Sequence, residues 1–305
     1  MKNRLVHIIF IVIIIIAVVA ITYNLLTKPV IILKPVFYIV PSDSSALINA
    51  TLTEAFTTFS SGYAIFTPDI WNIKDNSIGV TMMNVTPGSL EAKVDYTSVT
   101  AQVSQYIVVG YPEVIYGYKP WGQLQTSTNS FLPLPLNVSE LPNFYSVLNY
   151  SVNATKGYFD YSYDIWITRH FGQNGAYKGD IEMMIWMYWR NLQPAGRYYT
   201  TIYIPAYVDG KIVNVSWQVW IANGTWTIIT FRISNPIPKG VVGVDIPIFI
   251  KEANQLLVKF DSWSSPLNHY VLNDLEVGME WGPLYSGEPI FANYTLYQWY
   301  IATVT

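Results

Sequence analysis

The chain has 305 residues, of which 12% are charged and 16% aromatic, with a net charge of −3 at pH 7. That balance leaves no basic patch for a nucleic-acid backbone, and the absence of cysteine excludes a disulfide framework. Ordinary soluble chains carry roughly 25% charged residues, so much of this polar surface must be hydroxyls and amides.

Lys2 and Arg4 precede an uncharged apolar stretch from Leu5 to about Leu26. A positive flank before such a run reads as a secretory signal or a single membrane anchor, and it is long enough to span a bilayer as a helix. Residues 1–28 are assigned to it. A Ser/Thr-rich stretch with little periodicity follows, and residues 29–63 are expected to be a linker. Eight Asn-X-Ser/Thr sequons, at Asn49, Asn84, Asn137, Asn149, Asn153, Asn214, Asn223 and Asn293, suit a glycosylated protein outside the cell or tethered to the outer face of its membrane. A chain this poor in ionisable groups also suits acidic surroundings.

From Ala64 the pattern changes. Short runs rich in Val, Ile, Tyr, Thr and Trp recur at 78–83, 92–96, 105–109, 199–205, 212–222 and 226–233, broken by Gly, Pro, Asn and Asp. Many short strands at this spacing predict an all-β domain over 64–305, a sandwich or barrel. Asp209-Gly210 and Asn223-Gly224 are hairpin-turn dipeptides. One helix is predicted over 246–260, where Ile250, Ala253, Leu256, Leu257 and Phe260 recur at helical spacing. With only His7, His170 and His269, and no Gly-rich phosphate loop or nucleophile elbow, neither a metal site nor a His-based triad is expected.

The chemistry is carried by carboxylates inside apolar strands. Glu182 lies in Asp-Ile-Glu-Met-Met-Ile-Trp-Met-Tyr-Trp (180–189) and Glu280 in Val-Gly-Met-Glu-Trp-Gly (277–282). Burying a carboxylate costs on the order of several kcal/mol unless it is paired or used. Alternate strand residues share a face, so Glu182, Met184, Trp186 and Tyr188 point one way, towards a cleft. Asp164 sits in a third apolar strand, Tyr-Asp-Ile-Trp (163–166). Two carboxyls about 5–5.5 Å apart are what a retaining glycosidase needs, one as nucleophile and one as acid/base. Glu276 and Glu288 compete with Glu280 for its role. A buried glutamate satisfied by hydrogen bonds is the plain structural alternative for Glu182, as an exposed position on an alternating strand is for Asp164.

At these residues the chain resembles glycoside hydrolase family 12, the jelly-roll endoglucanases. Glu-Met-Met-Ile-Trp (182–186) is similar to the family's nucleophile strand, and Gly278-Met279-Glu280-Trp281-Gly282 to its acid/base strand. Ile70-Trp71-Asn72-Ile73-Lys74 and the run Gly-Tyr-Pro-Glu-Val-Ile-Tyr-Gly-Tyr-Lys-Pro-Trp (110–121) resemble the thermophilic bacterial branch, and Asn191–Gly196 resembles a loop crossing the cleft. The resemblance runs in order from about Phe66 to the C-terminus.

It implies a jelly roll of two packed antiparallel sheets with an open cleft and one short helix. It also implies retaining hydrolysis of β-1,4-glucan, with Glu182 as nucleophile, Glu280 as general acid/base and Asp164 assisting Glu182. Asp69, Trp71, Tyr116, Trp121, Met184, Trp186 and Pro194 would contact substrate. Asp69 stands where the family often has Asn, and Met279 and Trp281 flank Glu280 in place of the commoner neighbours. The expected protein is a monomeric extracellular cellulase that uses no cofactor or metal. A non-catalytic carbohydrate-binding jelly roll explains the aromatics, sequons and export signal equally well, but not two carboxylates on strands that match a hydrolase in order. A surface-layer or adhesin protein explains the export and glycosylation only.

Overall fold

A computed structural model describes residues 32–51, 54–261, 263 and 266–305. The expected signal or anchor over residues 1–28 lies outside them. No helix among the described residues is long and apolar enough to cross a membrane.

In chain order the described strands are β1 (Leu33–Val40), β2 (Ala46–Ala50), β3 (Phe59–Ser61), β4 (Ala64–Thr67), β5 (Ile78–Thr86), β6 (Ser89–Val99) and β7 (Glu113–Lys119). There follow β8 (Leu124–Gln125), β9 (Leu136–Asn137), β10 (Tyr145–Lys156), β11 (Tyr158–Thr168), β12 (Ile181–Arg190), β13 (Arg197–Val208), β14 (Lys211–Asn223), β15 (Thr227–Ile233) and β16 (Lys239–Asp245). After the helix α1 (Ile246–Asp261) come β17 (Val271–Leu272), β18 (Asp274–Gly278), β19 (Trp281–Gly282) and β20 (Glu288–Val304).

Hydrogen bonding links these strands in one ladder. It runs β2–β5–β6–β20–β10–β16 and continues β13–β14–β15–β12–β11–β18–β7–β4–β3, with β12–β15 its one parallel pairing among the described strands. The ladder bends back so that its two halves pack face to face, the two layers of a jelly roll. Aromatic residues mark the join. Tyr161 of β11 meets Tyr150 of β10 at 4.6 Å and Tyr294 of β20 at 5.0 Å, and Tyr96 of β6 stacks on Trp281 of β19 at 4.9 Å. Strand alternation produces this core: Tyr161, Tyr163, Ile165, Met183, Ile185, Leu275 and Val277 all turn inward.

The helix forms where its spacing predicts and ends one residue later. Asp245 caps it by accepting from the Ile248 N–H at 3.0 Å, and Pro247 sits in the first turn, where no backbone donor is needed. Its buried stripe, Phe249 above all, packs edge-on against Trp217 of β14 and Phe231 of β15, both at 5.1 Å. The helix thus braces the core side of β14 and β15, of which β15 pairs with the Glu182 strand.

Two expectations need correction. Residues 29–63 are not simply a linker: β1 pairs with β20 from Leu33↔Val304, β2 pairs with β5, and β3 pairs with β4. These strands have polar or exposed residues at alternate positions and bury only a few, such as Phe37, Ile39, Ile48 and Ala50. Pro35 adjoins a register break, as proline does in strands. Such composition looks like a tether until the partner strand is seen. The run 105–109 forms no strand; its backbone instead holds Asn72, whose Nδ2 donates to the carbonyls of Tyr106 and Val108.

Candidate active site

The outer face of the inner layer carries the polar residues that the core rejects. On β11 these are Asp160, Ser162, Asp164 and Trp166, and on β12 Glu182, with Trp166↔Glu182 in register. The β11–β18 pairing sets Asp164 opposite Glu276, and Glu280 follows just after β18. Gly278 lets β18 pack this close to the chain entering β7, because a Cβ there would stand 2.5 Å from the Pro112 carbonyl oxygen. Glu182 and Glu280 open into one cavity of about 400 Å³, lined also by Phe56, Asp69, Trp71, Tyr111, Lys119, Trp121, Asp164, Trp166 and Trp226.

The environments of the two glutamates differ in kind. Burial pushes Glu182 up to about 8, but the Trp226 indole N–H donates to its Oε2 at 2.6 Å and favours the ionised form. Burial also holds Glu280 well above the usual carboxylate range, and there its neighbour adds to the rise: the charge and hydrogen bond of Asp160 keep the proton on Glu280. Asp160 itself is raised by burial to about 7, against hydrogen bonds from Glu280 and from Ser162, whose hydroxyl donates at 2.7 Å. Asp164 is raised by burial and by the adjacent charge of Glu182.

At the cavity floor Lys119 ties three carboxylates together: Glu113 at 2.7 Å, Glu276 at 2.9 Å and Asp69 at 3.2 Å. Burial works against its charge, yet the three acids outweigh it and hold the ammonium protonated. No group of three or more acidic, His or Cys side chains among the described residues is arranged to hold a metal.

The competitors of Glu280 have other work. Glu276 is wholly buried on Lys119, and Glu288 accepts the backbone N–H groups of Leu284 and Tyr285.

Of the residues expected at substrate, Asp69, Trp71 and Trp121 line the cavity. Asp69 has a positive φ of 38°, a conformation that Asp and Asn tolerate, and its carbonyl accepts from the Tyr111 N–H.

The structure moves four others away. Tyr116 is in the core against Phe37 and Tyr63, its hydroxyl donating to the Leu132 carbonyl at 2.6 Å. The reason is parity on β7, since Lys119 and Glu113 occupy the opposite face. Met184 and Trp186 share the face of Glu182 but are covered by Leu192, Ile107 and Val108 in a small apolar cluster. Pro194 is buried and does not line the cavity.

The sequence reading missed Tyr111, Lys119, Trp166, Trp226 and Asp160. A signal existed for Asp160, because Asp160, Ser162 and Asp164 are polar at every second position. Trp226 gave none, since the parallel register Glu182↔Ile228 brings it to the site.

Residues 62–298 match the family described as Glycosyl hydrolase family 12. The chain belongs to that family. It is 29% identical over 134 residues to Endoglucanase S of Pectobacterium parmentieri, an alignment spanning 42% of this chain and 46% of that protein. The chain thus spans about half the length of the curated relative it matches.

Two solved structures share the fold at 18% identity and a TM-score of 0.62, each covering 85% of this chain and 100% of its own. They are a family 12 xyloglucanase from Bacillus licheniformis in complex with ligand and endoglucanase cel12A from Rhodothermus marinus. Within this family 12 chain, β1, β2 and β3 lie before the matched region.

Proposed function

We propose that this family 12 chain is a retaining endo-β-1,4-glucanase, with Glu182 as nucleophile and Glu280 as general acid/base. The observation that carries the reading is the opposed setting of two carboxyls on one cavity. Glu182 accepts an N–H, which favours its charge, whereas Glu280 faces Asp160, which favours its proton. Enzymes that separate acid from nucleophile do so by such differences in environment.

In the first step Glu280 gives its proton to the glycosidic oxygen while ionised Glu182 attacks the anomeric carbon, and the C–O bond to the leaving sugar breaks. Esterification removes the charge of Glu182. Glu280, now a carboxylate, takes a proton from water as that water attacks the anomeric carbon, and Glu182 departs. Two displacements retain the configuration. Asp164 borders Glu182 and assists it by keeping its own proton beside the charged nucleophile. Trp71 and Trp121, both well exposed at the cavity, offer flat faces to pyranose rings. An open site of this kind suits internal cuts in a glucan chain.

The sequons and the apolar N-terminal stretch support an extracellular location, free or tethered to the outer face of the membrane. The test is incubation of the full-length protein with carboxymethyl cellulose and cello-oligosaccharides, with the product anomer followed by proton NMR. Initial release of the β-anomer is the expected result. The α-anomer first would refute the double displacement. Binding without turnover, unchanged by Glu182→Gln, would make the chain a carbohydrate-binding protein instead.

A further inference from the structure

Trp226 stands in the short loop between β14 and β15, and nothing in its local sequence marks it for the site. Three contacts fix the loop: Gly224 N–H donates to the Trp226 carbonyl at 3.0 Å, the Thr227 hydroxyl to Asn223 Oδ1 at 2.9 Å, and Thr227 N–H to the Asp180 carbonyl at 3.0 Å. The indole is braced on two others, with ring centroids 5.5 Å from Trp121 and 5.6 Å from Trp166. A donor so held costs little to organise when the reaction needs it.

We propose that Trp226 is a positioning residue for the nucleophile: its indole N–H holds Oε2 of Glu182, leaving Oε1 to attack the anomeric carbon. This rests on Glu182 being the nucleophile. The other ionisable groups facing Glu182 are Asp164 from β11, Glu276 from β18, Glu280 and Lys119. Glu280 and Glu276 oppose ionisation and Lys119 favours it from the floor, while Trp226 is a neutral donor that directly touches the carboxylate.

The bond has a kinetic signature. In the covalent intermediate Glu182 is an uncharged ester, a poor acceptor. As water displaces it, charge returns to the carboxylate and the N–H bond strengthens. Trp226 therefore aids the second step most.

The test uses Trp226→Phe, which keeps the aromatic brace and removes the N–H, on a dinitrophenyl β-cellobioside whose first step is fast. The value of kcat should fall about tenfold or more, the size of one charge-assisted hydrogen bond. KM should fall with it as the intermediate accumulates, and the acid limb of kcat/KM should move to higher pH. Unchanged kcat and an unchanged acid limb would overturn the proposal.

Should Trp226→Phe fail to fold, benzothienylalanine at position 226 gives the same ring shape with sulfur in place of N–H, and the same expectations apply. Full turnover by Glu182→Gln would overturn the nucleophile assignment itself, a result distinct from either outcome at Trp226.

Discussion

The backbone N–H of Asp160 donates to the Glu280 carbonyl at 3.3 Å, which brings the two buried acids together, and the Ser162 hydroxyl donates to Asp160 Oδ1 at 2.7 Å. Two buried acids in contact cannot both ionise readily, so the pair holds a proton to higher pH than either acid alone would. Ser162 donates to Asp160, which leaves Glu280 as the partner that keeps the proton. Replacing Asp160 by Asn removes the neighbouring charge and its raising hydrogen bond. The Glu280 carboxyl should then release its proton at lower pH, though burial still holds it above the ordinary glutamate range. Titration of carbon-13-labelled glutamate by NMR in parent and variant checks this, and an unmoved Glu280 resonance would separate the two residues.

Stability should favour acid. Glu113, Asp160, Asp164, Glu182, Asp274 and Glu280 are all raised in the folded protein, with burial the first cause of each. Folded carboxyls therefore bind more protons than unfolded ones over this range, and stability falls as pH rises. The contribution of Asp160 is present below its unfolded value near 3.8 and is lost as pH climbs through about 7. That of Glu182 runs from 4.5 to about 8. Calorimetry should find a higher Tm at pH 4 to 5, on the order of these unfolded carboxylate values, than at pH 8. A Tm that rises steadily with pH would contradict these environments.

Aromatic residues at the site divide into two classes with different signatures. Trp71 is 44% exposed on the cavity wall, with Tyr106 edge-on at 6.2 Å. Trp71→Ala should raise KM for cello-oligosaccharides about tenfold, the worth of one ring-stacking contact, and leave Tm nearly unchanged. Trp186 is 2% exposed beneath Leu192. Trp186→Ala should instead cost about 3–5 kcal/mol of folding free energy, the range for large aromatic-to-alanine changes in a core. Denaturant unfolding and steady-state kinetics on both variants separate the classes.

Part of this architecture was legible in the sequence. Alternation around Glu182 placed it on a cleft face because both faces of β12 are bulky and only one can enter the core. The helix was legible because its apolar stripe is local. Other features depend on partners far along the chain. The strands from Leu33 to Ser61 are specified by β20, β5 and β4, and their own composition is nearly as polar as a tether. Tyr116 looked available for substrate until β7 was seen to send Glu113 and Lys119 to the other face. Met184 and Trp186 had the right parity, but Leu192 and the 107–108 segment fold over them. Lys119 gave no sign of binding three acids that lie 50, 6 and 157 residues away.

The central claim is a covalent bond between Glu182 and the sugar. Full-length protein treated with 2-deoxy-2-fluoro-β-cellobiosyl fluoride should lose activity as one fluoroglycosyl group attaches, because the 2-fluorine slows both steps while the good fluoride leaving group speeds only the first. Peptide mass spectrometry is predicted to find the group on Glu182. A label on Asp164, Glu276 or Glu280, or steady turnover with no labelled peptide, would contradict the account.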